Sequence, residues 1–259
     1  MTTVDNSLRI RMESAGQAPS LPRLTLVELR KFLDTRAGLW LLVAIGLVSA
    51  AVIVVALIWT PDEEQFLGGY FADSVLILSF LLPVLGILLV TGEWNHRTAL
   101  TTFALVPKRG RVSAAKIAAG GAAGLGATAV SLGLASAATV VATISGGADW
   151  SLPWSHVGSA ALVLVLNVLM GIAFGMALLN SALAIVVYFF LPTIWAVLGS
   201  AIPALRSAAE WLDTGQTMPA LFAPDVTAGS WARLAASVAV WVALPLAIGL
   251  LRVGRREVS

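Results

Sequence analysis

Apolar residues in this chain come in long unbroken runs rather than in the short periodic stripes of a soluble fold. Leu39 to Trp59 holds no charged residue. Neither does Ser74 to Thr91, which lies between Asp73 and Glu93, nor Ile117 to Ala148, nor Leu234 to Leu251. The longest run, Trp150 to Leu205, is too long for one crossing, because a helix rises about 1.5 Å per residue and the hydrocarbon core is about 30 Å thick. It must fold back, and the turn is placed near Asn180–Ser181, the most polar point well inside it. The pattern thus predicts an all-α integral membrane protein. Its six transmembrane helices cover about residues 39–59, 73–91, 117–145, 156–179, 182–202 and 232–251, with Pro245 kinking the last.

Composition agrees with a lipid solvent. Of 259 residues, 58% are hydrophobic and 12% charged, against about 25% charged in soluble domains. The absence of cysteine excludes disulfides and thiolate metal sites. A cleavable signal peptide is not expected, because the first long apolar run begins only at Leu39.

Lys and Arg in short loops set the orientation. The N-terminal segment carries Arg23, Arg30, Lys31 and Arg36; the loop after span two carries Arg97, Lys108, Arg109 and Arg111; the tail carries Arg252, Arg255 and Arg256. Asp62, Glu63 and Glu64 follow span one, and Asp149 follows span three. The loop between spans five and six is mixed, with Arg206, Glu210, Asp213, Asp225 and Arg233. Six spans with both termini cytoplasmic satisfy this distribution. A five-span arrangement would put the basic tail outside.

The parts outside the spans divide as follows. Residues 1–21 read as a disordered cytoplasmic tail. Residues 22–37 read as an amphipathic helix with Leu26, Leu29, Phe32 and Leu33 on one face and Glu28, Arg30, Lys31 and Asp34 opposite. Such a helix can lie in the membrane interface, or form a charged stop before span one. Residues 38–252 form the transmembrane domain, and residues 253–259 a second cytoplasmic tail. Between spans two and three, Thr98 to Val106 has helical character and ends at Pro107 and Gly110. This loop is longer than the 2–8 residues or so of a plain helix connector. Its apolar centre inside a basic frame suits a protein partner; the alternative is a basic topology anchor. Between spans five and six, a long segment mixes acidic residues with Trp211, Leu212 and Phe222. It reads as short outer helices that gate the bundle or merely cover it.

Several chemistries are missing. No Gly-x-x-x-x-Gly-Lys-Ser/Thr loop occurs, so the chain cannot hydrolyse ATP alone and is not expected to be an enzyme by itself. His-Glu-x-x-His and Gly-x-Ser-x-Gly are also absent. His96 and His156 stand alone near predicted membrane boundaries and read as interfacial residues, so no metal site is expected. No ionisable residue lies at the middle of a span, which counts against ion-coupled transport. Asn167 reads as a helix-to-helix hydrogen bond, and the pairs Gly120/Gly124 and Gly171/Gly175 as close helix packing in preference to a dimer seam.

These features together resemble an ABC-2 type transporter permease. A basic amphipathic helix precedes six spans, a Glu-containing helical loop joins spans two and three, and a long outer loop joins spans five and six. The most specific stretch holds Glu93, Arg97-Thr98, Leu100 to Val106, Pro107, Arg109 and Lys116, with Arg97 standing where the family usually has Gly. The resemblance implies an exporter subunit in the cytoplasmic membrane of a bacterium. It would pair with a second permease subunit, the same or homologous, and with two separate ATP-binding subunits that hold ATP and Mg. No cofactor would sit on this chain, and no nucleic acid is implied. A coupling helix would carry Thr98, Leu100, Thr101 and Phe103, flanked by Glu93, Arg97, Pro107 and Arg109. The implied cargo is lipophilic or amphipathic: a drug, antibiotic, peptide or lipid. The competing expectation is an ATP-independent secondary transporter or channel, with an intramembrane enzyme or a structural scaffold behind it.

Overall fold

The computed structural model of the protein describes residues 20–95 and 109–255. Six helices are long and apolar enough to cross a membrane. Spans one to five are Arg36–Trp59, Leu67–Asn95, Arg109–Ser145, Trp154–Leu178 and Ser181–Ala201. Span six, Ala228–Val253, is composite. A further helix, Leu21–Asp34, precedes span one, and no strand occurs among the described residues. The protein is therefore a multi-pass helical membrane protein.

Local chemistry places the breaks. Thr35 leaves the helical region and its hydroxyl accepts a hydrogen bond from the Gly38 amide at 3.1 Å, which starts span one. Leu179 takes a left-handed conformation (φ 54°), and Asn180 then caps span five by accepting from the Leu183 amide at 3.0 Å. The turn thus falls one residue before the predicted Asn180–Ser181.

Two spans begin earlier than their charge-free runs. Span two starts at Leu67 and takes Asp73 inside the helix; span three starts at Arg109 and runs for 37 residues. At about 1.5 Å per residue span three is roughly 55 Å long, well beyond the hydrocarbon core. The run without charges marks the apolar slab, while the helix itself continues past it.

Span four is the centre of the bundle. In its most apolar window 67% of residues are buried, against 17% in spans one and five. Small residues allow its neighbours to approach closely. A Cβ on Gly171 would lie 2.2 Å from the Pro83 carbonyl oxygen of span two, and one on Gly124 of span three 2.7 Å from the Val165 Cα. Gly120 faces Ile172, and Gly175 faces Ile87. Both glycine pairs are thus used for packing within one chain.

Span six bends where proline requires it. Pro245 has no N–H for the carbonyl of Trp241. The helix responds with a π turn over Ala239–Ala243, in which the Leu244 amide reaches back to the Ala239 carbonyl. The turn aims the Trp241 ring N–H at the Leu212 carbonyl, 2.6 Å away. That bond ties span six to the segment before it.

The two ends of the bundle differ. At one end the connectors are zipped together: the Leu67 amide donates to the Asp149 carbonyl (2.9 Å) and the Asp149 amide to the Gln65 carbonyl (3.1 Å). The same end carries the short helices Arg206–Leu212 and Thr214–Thr217. The opposite, proximal end holds the Leu21–Asp34 helix and the span four–five turn. There the Thr91 and Ser181 hydroxyls meet at 2.6 Å, and Arg252 donates to the Ala177 carbonyl at 2.5 Å.

Replacing Gly171 by Ala is expected to lower stability by about 1–3 kcal/mol through overpacking. At Gly121 a Cβ meets nothing within 4 Å, so Gly121→Ala should leave stability unchanged or slightly higher. Thermal unfolding of the two variants in detergent tests this; equal losses would contradict the packing described.

Candidate functional site

The Leu21–Asp34 helix docks at the proximal end in a way its hydrophobic pattern does not announce. Leu29 packs on the core, but Leu26 is 59% exposed and Arg30 is exposed. Glu28, on the predicted polar face, is only 4% exposed. The helix turns one charged edge inward because the bundle end offers charges to meet it. On the predicted polar face, buried ion pairing and not solvent takes Glu28 and Lys31, while Leu26 on the apolar face stays exposed.

Four side chains close a ring. Lys31 Nζ donates to Glu28 Oε1 at 2.6 Å and also to Glu93 Oε1. Lys116 Nζ donates to Glu28 Oε2 at 2.7 Å and lies 3.2 Å from Glu93 Oε1. Its third partner is the Leu89 carbonyl at 3.0 Å. The charges alternate in sign around the ring, which is neutral as a whole. The Glu28 and Lys116 side chains are 6% exposed and that of Glu93 10%, while Lys31, at 30%, is the member that reaches solvent.

Sequence position explains the meeting. Glu93 and Lys116 are the charges that bound the apolar runs of spans two and three, so both stand at one edge of the slab. Two helices packed side by side bring those edges together. A buried pair gains little net stability, because desolvation opposes attraction, yet removing one partner strands a charge at a cost of roughly 3–5 kcal/mol. The ring therefore acts as a registry device. It fixes the depth and rotation of three elements relative to one another.

Burial disfavours the Lys31 ammonium, but Glu28 and Glu93 more than offset it and hold its pKa above the ordinary 10.5. The resulting stabilisation is fully present below that ordinary value and is lost as pH rises through the higher native one.

The other predicted site residues scatter. Arg97, Thr98, Leu100, Thr101, Phe103 and Pro107 lie outside the described residues, as does His96. Arg109 is the first residue of span three. Phe32 and Leu33 belong to the Leu21–Asp34 helix, but their side chains lie outside the description. At the far end Trp211 is 45% exposed, Leu212 serves span six through its carbonyl, and Phe222 meets the His156 ring edge-on at 5.7 Å. Asn167 Oδ1 accepts from the Tyr188 hydroxyl at 3.0 Å, linking spans four and five. Sequence reasoning assigned Glu28 no partner; its signal was the spacing of Glu28 and Lys31, one helical turn apart. Among the described residues no group of acidic, His or Cys side chains could hold a metal ion.

In comparisons with known proteins, no family model matches the chain and no curated protein matches it. Fold and site chemistry alone carry the functional reading.

Single variants Glu93→Gln and Lys116→Gln should each destabilise the protein by roughly 3–5 kcal/mol, and the double variant by clearly less than their sum. Unfolding in mixed micelles measures the cycle; strict additivity would mean that the two charges do not interact. Stability should hold from neutral pH upward and begin to fall above about 10.5. The Lys31→Met variant should lack that part of the alkaline fall, a difference visible in thermal melts across pH.

Proposed function

We propose that the protein is the membrane-spanning permease subunit of an ATP-driven exporter of the ABC-2 type, seated in a bacterial cytoplasmic membrane. The proximal end, which gathers most of the basic residues, faces the cytosol on this reading. Thr98 to Leu105, flanked by Glu93, Arg97, Pro107 and Arg109, form the contact with a separate ATP-binding cassette ATPase, and a second permease subunit completes the pathway.

The observation that carries the reading is the ring of Glu28, Lys31, Glu93 and Lys116. Glu93 and Lys116 stand on the two helices that flank residues 96–108, and Glu28 and Lys31 bring in the N-terminal helix. A displacement of that loop is thereby delivered to three elements together. ATP can shift a transporter between states only by binding them with different affinity. The ring supplies a stiff link through which a closing ATPase would move spans two and three.

The distribution of charge supports the same reading over ion-coupled transport. The ionisable residues cluster at the ends of the spans, and the apolar runs between them are free of Asp, Glu, Lys and Arg. A proton- or sodium-coupled machine usually needs such a group near the midplane.

Purification of the full chain from its native membrane should bring down an ATPase of a single-domain size, roughly 200–350 residues. Leu100→Asp and Phe103→Asp should each cut that association severalfold while membrane insertion stays intact. Wild-type recovery of the ATPase with both variants, or transport that follows an ion gradient with no ATPase present, would remove the basis for this assignment.

A further inference from the structure

A cavity of about 530 Å³ lies toward the end opposite the charge ring, within the size range of small-molecule sites. Its walls come from spans two, four and five, and the 213–222 segment covers it. Leu76 and Phe80 of span two and Thr193 of span five line it and are exposed, so its mouth opens on the flank of the bundle between these spans. The lining is mostly apolar and includes the aromatic rings of Phe80, Tyr188, Phe189 and Phe222.

Most of its polar atoms share one bias. Of the four hydroxyl groups that line the walls, all but that of Thr214 commit their protons elsewhere. Ser79 donates to the Val75 carbonyl (2.8 Å), Thr193 to the Phe189 carbonyl (2.6 Å) and Tyr188 to Asn167 Oδ1 (3.0 Å). Asn167 Nδ2 donates to the Val163 carbonyl (3.0 Å). What these groups can still offer a ligand is largely oxygen lone pairs. No Lys, Arg or His lines the cavity; the single charged residue is Asp213.

Asp213 is 7% exposed and has no ion-pair partner among the described residues. Its two oxygens accept from the Gly215 amide (2.8 Å) and Gln216 Nε2 (2.9 Å). Those bonds satisfy it partly and leave its charge without a counter-charge. A buried carboxylate in an apolar surround favours a cation, and aromatic faces favour one too.

We propose that this cavity binds a lipophilic organic cation, with Asp213 as the charge partner and the aromatic rings around the apolar body. A lipophilic anion of equal bulk is disfavoured by the same carboxylate. The route of entry is lateral, between spans two and five, from the apolar phase. Binding here does not depend on an ATPase partner, so the site can be tested on the purified full chain.

Equilibrium binding of labelled tetraphenylphosphonium to the chain in lipid nanodiscs provides the test, with tetraphenylborate as the matched anion. Saturable binding of the cation is expected, with the anion at least about tenfold weaker. Asp213→Asn should weaken cation binding by about tenfold or more, since the amide keeps the shape and loses the charge. Ala196→Trp, which fills the cavity and leaves Asp213 in place, should abolish saturable binding even where Asp213→Asn fails to fold. Equal binding of both ions, an unchanged affinity in Asp213→Asn, or undiminished binding in a folded Ala196→Trp would each overturn the site.

Discussion

Two ammonium groups and two carboxylates withdrawn from water must balance one another, and the proximal end of this protein is arranged around that requirement. Each charge of the ring alone would cost several kcal/mol to bury. Alternation of sign is what makes their common burial tolerable. Neutrality also fixes geometry, because no member can leave without exposing one net uncompensated charge among the other three. The N-terminal helix therefore sits where Glu28 and Lys31 can reach Glu93 and Lys116. That placement leaves Leu26 exposed, as an interfacial helix would, while its charged edge is spent inside the protein.

The bundle combines a tight core with a loose periphery. Span four meets spans two and three on glycine, at distances that leave no room for a methyl group. Spans one and five are mostly exposed. Between spans two, four and five the packing opens into the cavity instead of closing on small residues. Dense interiors transmit displacement and loosely packed ones absorb it. The same chain thus holds a stiff unit of spans two, three and four beside a flank with room for a guest.

Much of this architecture was legible because lipid imposes simple rules. Charge-free runs gave the six spans, Asn180 marked the fold-back, and the glycine pairs signalled close packing. Helix ends were less legible: span three begins at Arg109, ahead of its apolar run, because hydrogen bonding continues where lipid ends. The π turn before Pro245 could be anticipated only as a kink. The site was half visible. Glu93 and Lys116 stood out as charges at the edges of runs, but the burial of Glu28 depends on three elements converging, which no local pattern encodes. Asp213 looked like one acidic residue of a mixed loop. Its isolation in an apolar wall appears only once spans two, four and five surround it.

Span two is the element that the ring and the cavity share. Glu93 and Ser79 lie on the same helix, 14 residues and roughly 21 Å apart. Pro83 stands between them and leaves the Ser79 carbonyl without its usual donor, so the helix has a weak point beside the cavity wall. Its contact with Gly171 lies at the same level. A bend of span two would therefore centre near Pro83, beside the cavity wall. Two sites influence each other only when both bias one structural equilibrium, and then each must act on the other equally. Span two joins the ring and the cavity directly, and span four, which lines the cavity and packs on spans two and three, joins them at one remove. A guest whose binding shifted span two would change the energy of the charge ring, by the same amount that the ring changes the guest's affinity.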